Sequence, residues 1–227
     1  MLFVVTDAYR PAPQSAVHAF CHVLPNLWHQ MSVMLSAASC LQWFCRLTGT
    51  TEVALLAEIA ELSEEDKANA PFFLPYLSGE RTPHNDPDAR GIFWGMTHAS
   101  LRAQLGYAVL EGVSFWDPTT PAGIERERDA DRAVLAGGRG RPQPVLGPAA
   151  GRYSRYAGGD PQRRRDRRRT RRGAAGLPGG GKPIAAVCEK PEVWQTWRAD
   201  PIRHHTLMQR YAQFKALYLN DLHYRQH

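Results

Sequence analysis

The spacing of apolar residues changes along the chain, and each change predicts an element. Leu2 to Thr6 (LFVVT) is a short β-rich run and reads as a strand. Ala16 to Val23 reads as a second strand that ends at the Pro25-Asn26 turn. From Gln30 to Thr48 the pattern becomes helical. Met34, Ala37, Ala38, Leu41, Phe44 and Cys45 recur three and four apart, and Gly49 supplies a stop. Thr50 or Thr51 caps a second helix that runs to about Leu62, with Leu55, Leu56 and Ile59 on its buried side. Ser63 to Ala70 is polar and reads as a loop, and Pro71 to Leu77 (PFFLPYL) as a strand broken by Pro75.

Residues 78–91 (SGERTPHNDPDARG) are punctuated by proline and glycine and form an irregular loop. Long ordered loops line sites more often than cores. Gly91 to Met96 then reads as a strand and turn. Thr97 or Ser100 caps a helix whose apolar stripe is Leu101, Leu105, Ala108, Val109, Gly112 and Val113. Near Trp116 the texture breaks, and neither a helix period nor a strand period persists through residue 181. Globular texture returns near Lys182. Asp200-Pro201 is an N-cap followed by proline at the first helical position. Leu207, Tyr211, Phe214 and Tyr218 then present one apolar face.

Charge sharpens the break. The chain of 227 residues carries a formal net charge of +6. Residues 118–181 hold 15 Arg, no Lys and 6 acids, or +9, which leaves −3 for the remainder. The basic character therefore belongs to one block. A segment so poor in large apolar side chains cannot offset the entropy of ordering it. The run Arg163 to Arg172 would bind phosphate backbones without sequence preference. No aromatic interleaves it and no nucleic-acid motif surrounds it, so an accidental basic segment is the reading adopted over a nucleic-acid interface.

Other classes recede on composition. No run approaches the length of a membrane span, and the N-terminus lacks the basic region and cleavage site of a signal peptide. The four cysteines (Cys21, Cys40, Cys45, Cys188) make no CxxC pair, so neither a metal site nor a disulfide frame is expected, and the setting is cytoplasmic. His18, His22 and His29 have no metal-ligand spacing and read as structural.

The chemistry concentrates at Gly91 to Glu111. The start of the helix after Gly95 offers free backbone N–H groups and a favourable dipole to an anion. Thr97 and His98 stand beside it. In the preceding loop, Glu80 and Arg81 either orient a cleft or pair with each other, and the local ion pair is the favoured reading.

Gly91, Phe93, Gly95, Met96, Gln104, Leu105, Ala108, Val109, Leu110 and Glu111 stand at the spacings of a known signature. They resemble the C-terminal signature of the FGGY carbohydrate kinases. FLPYLSGERTPHNDPDARG (73–91) and SAVHAFCHVLPNLWHQMSVMLSAASCLQW (15–43) are similar to the branch of that family acting on D-xylulose. The resemblance implies an actin-like ATPase fold, α/β and ribonuclease H-like, with two domains closing over a cleft. It further implies phosphoryl transfer from ATP with Mg2+ to D-xylulose or a related ketopentose, and a homodimer is a state it allows. Ala99 and Ala103 fall at positions where the family touches the nucleotide. Relatives often carry asparagine at the position of Ala103.

Two departures shape the expectation. The family's phosphate loops, general-base aspartate and main sugar contacts precede the matched stretch, so no residue here is assigned as catalytic base, and the chain as it stands is expected to be inactive. The family's glycine-rich adenosine loop is also missing from residues 118–181. Permitted codons for Ala136 to Tyr156 and the first two bases of Ala157, read one nucleotide later, can encode LVGGAAHSQYWAQLLADILDM, which resembles that loop and helix. The expected organisation is thus an incomplete C-terminal kinase domain. Residues 1–116 form its first part, 117–181 an irregular inserted or frameshifted segment, and 182–227 its helical end. The alternatives are a basic nucleic-acid-binding protein and a non-functional pseudogene product.

Overall fold

A computed structural model describes residues 1–116 and 201–227, with side chains in the second stretch from His205 onward. The expected irregular segment, Cys188 and Asp200 lie outside the described residues. Both described stretches belong to one compact unit.

Leu2–Thr6 (β1), His18–Cys21 (β2) and Trp28–Ser32 (β3) form an antiparallel sheet in the order β1-β3-β2. Leu2 faces Ser32 and Thr6 faces Trp28 on one edge of β3, and His18 faces Met31 on the other. The Pro25-Asn26 turn joins β2 to β3, with Asn26 in the left-handed region. The third strand corrects the expected helix over 30–48. Gln30 to Ser32 lie in the central strand, because its N–H and C=O groups pair on both sides. The helix of that stretch, α1, spans only Ala38–Leu47 and ends at Gly49, which takes the left-handed conformation.

Helix α2 (Glu52–Ala60) is capped by Thr51, whose side chain accepts the Ala54 N–H at 3.2 Å. Leu55 and Ile59 on it are fully buried, as expected, while Leu56 is half-buried. The loop expected at 63–70 contains a helix, α3 (Glu64–Ala68). Ser63 and Asp66 cap it reciprocally: the Asp66 N–H donates to Ser63 Oγ and the Ser63 N–H to Asp66 Oδ2. That signal was present in the sequence as Ser-x-x-Asp.

Phe72–Leu74 (β4) and Ile92–Trp94 (β5) make a two-stranded antiparallel ladder, with Phe73 opposite Phe93. All three residues of β4 are buried, because helices cover both of its faces. Trp43, Phe44, Phe73 and Phe93 form an aromatic layer on the side of α1. On the other side Phe72, Leu74, Tyr76 and Ala89 pack against Tyr211, Phe214 and Tyr218 of the long terminal helix α5 (Pro201–Gln226). The apolar face expected of that helix is therefore the one buried.

Helix α4 (Arg102–Ser114) crosses beneath this ladder and touches α1, α2 and β4. The expected single stripe is too narrow. Gly106 to Gly112 is buried on every side, and Leu101 is exposed. Two glycines permit this depth. A Cβ on Gly112 would stand 2.1 Å from the Phe73 carbonyl oxygen, and one on Gly106 would meet the Leu55 and Ile59 side chains.

Candidate nucleotide-facing site

The fold delivers β5 into α4 through one exposed loop. β5 ends at Gly95, whose φ of 85° a side chain rarely adopts. Gly95, Thr97, His98 and Ala99 are all exposed there, and Ala103 is half-buried on the first turn of α4. The residues expected to face a nucleotide thus share one edge. Glu80 and Arg81 are not part of it.

Thr97 and Ser100 do not cap α4, contrary to expectation. They close a turn ahead of it. The Ser100 N–H donates to the Thr97 carbonyl at 3.0 Å, the Thr97 N–H to Ser100 Oγ at 2.9 Å, and the Ala99 N–H to Thr97 Oγ1 at 3.2 Å. Gln104 does part of the capping instead, through Oε1, which accepts the Leu101 N–H at 3.0 Å. Its amide nitrogen donates to the Asp66 carbonyl. Arg102 is tied to Glu58 of α2. The helix start is therefore fixed from α2 and α3. Its first-turn N–H groups at Arg102, Ala103 and Gln104 have no acceptor within the helix. With the helix dipole they favour an anion.

Beside Gly95 lies a shallow depression of about 210 Å3, lined in part by Asn69, Phe72, Trp94 and Gln213. Small-molecule pockets run from roughly 300 to 1,000 Å3. The depression is thus one wall of a site and not an enclosure. Among the described residues no group of three or more His, Cys, Asp or Glu is placed to hold a metal ion, so Mg2+ has no cage here. The free helix N–H groups suit an anionic group, and the described residues offer no ligand set for a metal ion.

Glu80 and Arg81 take separate roles. Glu80 is 1% exposed, and its Oε1 accepts the Leu35 N–H at 3.2 Å and the Arg81 N–H at 2.7 Å. Burial pushes its carboxyl up to about 7. The Arg81 side chain is exposed, and the expected Glu80–Arg81 ion pair is absent. Backbone N–H groups bond Glu80 Oε1, while its Oε2 is buried without a hydrogen-bond partner.

Two polar clusters escaped sequence reasoning. Arg210 of α5 reaches Glu111 of α4 at 2.8 and 2.6 Å and donates to the Ala68 and Ala70 carbonyls. Its guanidinium also lies 4.2 Å from the centre of the Phe72 ring. Burial pushes the Glu111 carboxyl up, and the arginine opposes that shift. The second cluster gathers on Asp86. It accepts from Tyr218 at 3.0 Å, from Arg225 at 2.6 Å, and from the Asp88 and Ala89 N–H groups. These donors hold the Asp86 carboxyl below its ordinary range. His84 stacks on Tyr218 at 3.6 Å, and burial lowers its pKa to about 4. A polar residue inside the apolar face Leu207-Tyr211-Phe214 was the available signal for Arg210.

A three-stranded antiparallel sheet in the order β1-β3-β2, followed by helices and the β4-β5 ladder, with a glycine turn feeding a deeply buried helix, defines an α/β domain. Residues 2–143 match the FGGY family of carbohydrate kinases, C-terminal domain, and the chain belongs to that family. Its fold is the actin-like ATPase fold of that family's C-terminal domain. The chain is 54% identical over 113 residues to the xylulose kinase of Escherichia coli (strain K12), covering 50% of this chain and 23% of that protein. It is 53% identical over the same length to the xylulose kinase of Klebsiella pneumoniae, with the same coverage. The solved xylulose kinase of Brucella ovis superposes with a TM-score of 0.76 at 32% identity, covering 97% of this chain and 45% of that one. The matched stretch is thus about a quarter of the length of these curated relatives, and the structural match spans less than half of the solved one.

Proposed function

We propose that this chain forms the nucleotide side of a sugar kinase that moves the γ-phosphoryl group of ATP to D-xylulose or a related ketopentose. The observation that carries the reading is the edge that runs from exposed Gly95 to half-buried Ala103. It ends in three helix N–H groups without intrahelical acceptors. The proposed nucleotide contacts are Gly95, Thr97, His98, Ala99 and Ala103. Ala99 and Ala103 are small enough to let phosphate or ribose oxygens approach the backbone. Mg2+ is proposed to arrive on the phosphates, since the described residues offer it no ligand set. The identity of the sugar is supported by the names of the most similar relatives, which are xylulose kinases.

The domain assignment proposed is a kinase domain whose first part is residues 1–116 and whose helical end is 182–227. No helix of the described residues is long and apolar enough to cross a membrane, and a cytoplasmic setting is proposed. The carboxylates that meet the nucleotide edge are engaged, Glu58 with Arg102 and Asp66 with Ser63. No described residue is assigned as the base that takes the proton of a sugar hydroxyl. Turnover by this chain alone is therefore expected far below ordinary kinase rates of order 1–100 per second.

Isothermal titration of the full chain with ATP tests the reading. Ala103→Asp places a carboxylate where phosphate is proposed to sit, while its charge suits the helix N-terminus and preserves the fold. ATP affinity is expected to fall about fivefold or more in this variant, because the carboxylate repels the phosphate and competes with it for the same helix N–H groups. Equal affinity in the variant and the parent would overturn the assignment.

A further inference from the structure

Glu80 belongs to no part of the proposed nucleotide edge, yet it sits where four segments meet. Two residues beyond it, Thr82 bonds twice to Val33: the Thr82 N–H donates to the Val33 carbonyl, and the Val33 N–H to Thr82 Oγ1, each at 3.1 Å. Thr82 Oγ1 also donates to the Ala16 carbonyl at 3.1 Å, and the Trp116 indole donates to the Thr82 carbonyl at 2.7 Å. The segment 80–82 therefore joins the connection between β3 and α1, the turn before β2, and the end of α4. We infer that Glu80 is a protonation-dependent latch: as a neutral acid it holds this segment against Val33–Leu35, and its ionisation releases it.

The geometry disfavours a carboxylate. One oxygen, Oε1, takes both backbone donors, from Leu35 and Arg81. The other, Oε2, is buried and has no hydrogen-bond partner. An ionised group with one oxygen unsolvated and unpaired costs far more than a neutral acid in the same place. Among the described residues no side-chain cation pairs with Glu80. Cys40 of α1 and Tyr76 beyond β4 are the titratable groups that sense Glu80, and burial raises the pKa of each, which keeps them neutral. The Met1 ammonium of the β1 segment favours the ionised form only weakly, behind the two backbone donors. The Arg81 guanidinium, on the same loop, is exposed. Burial places the ionisation near neutrality, at about 7. Above that pH the ionised carboxyl is drawn toward water, and the contacts it makes with the Leu35 and Arg81 N–H groups open.

Amide hydrogen exchange on the full chain tests this, with rates corrected for the intrinsic effect of pH. The Leu35 and Arg81 amides should be protected about tenfold less at about pH 8.5 than at about pH 5.5. In Glu80→Gln their protection should be the same at both pH values, because the amide is a neutral isostere. Equal protection of the parent at both pH values would overturn the latch, as would the same loss in the variant. Should the variant not fold, the carboxyl carbon of Glu80 can be titrated directly by NMR in the parent. A midpoint near 7 supports the latch, and one in the ordinary range near 4.3 refutes it.

Discussion

Arg210 and Glu111 stand 99 positions apart in sequence and form one bidentate, buried ion pair, with the arginine only 8% exposed. The pair ties the terminal helix α5 to α4, and the remaining guanidinium donors close on the carbonyls of Ala68 and Ala70. Every charge in the contact has a partner, so its removal is costly in a way that its presence is not stabilising. Arg210→Ala is expected to lower unfolding free energy by about 3–5 kcal/mol, because it strands the Glu111 carboxyl. Replacing both partners, with Glu111→Gln and Arg210→Met, should recover part of that loss. Urea denaturation of the parent and the two variants measures both effects.

Close approach makes a second, steric prediction. Gly112→Ala puts a Cβ 2.1 Å from a backbone oxygen of β4, which cannot rotate aside. Gly106→Ala meets the ends of the Leu55 and Ile59 side chains, which can. The first substitution should destabilise by more than the roughly 1–3 kcal/mol typical of overpacking, and the second should fall within it. Thermal unfolding of the two variants side by side distinguishes them, and equal losses would contradict the packing described.

Two buried titratable groups should give opposite pH slopes. The folded pKa of His84, about 4, lies below its ordinary 6.5, so the unfolded chain binds its proton first. Its contribution is fully present above about 6.5 and is lost as pH falls toward about 4. Glu80 is raised from 4.5 to about 7, so its contribution is present below about 4.5 and is lost as pH rises toward about 7. His84→Phe, which keeps a ring against Tyr218, should make stability fall more steeply with rising pH between these limits. Glu80→Gln should make it rise more steeply. Denaturation midpoints at several pH values check both signs.

The nucleotide edge carries a gain-of-affinity prediction. Ala103→Asn adds a hydrogen-bonding side chain on the first turn of α4 and should tighten ATP binding by about one hydrogen bond, or several-fold. Calorimetric titration is the measurement. An unchanged affinity would place the nucleotide away from that turn.

Much of this domain was legible in local pattern. The β1 strand, the Gly49 stop, the Thr51 cap, the short β4 strand and the apolar face of α5 each follow from side chains within a few residues of one another. The turn residues at Gly95 were legible for the same reason, since only the local φ decides them. Strand β3 was not. Its apolar positions run on into a helical period, and only hydrogen bonds to β1 and β2 on both of its edges separate the two. Thr97 and Ser100 carried a cap signal that the chain spent on a turn, leaving the helix start to Gln104 and to contacts from α2 and α3.

What the sequence determined by itself was most of the elements, though not β3 or α3, the family signature from Gly91 to Glu111, and the separate character of the basic block. What only the tertiary structure decided was the pairing of polar side chains across distance. Glu80 was expected beside Arg81 and instead serves Leu35, 45 residues away. Asp86 waits for Tyr218 and Arg225, and Glu111 for Arg210. The physical reason is that burial, and not proximity along the chain, sets what a polar group requires. A carboxyl enclosed in the core must find its donors wherever packing brings them.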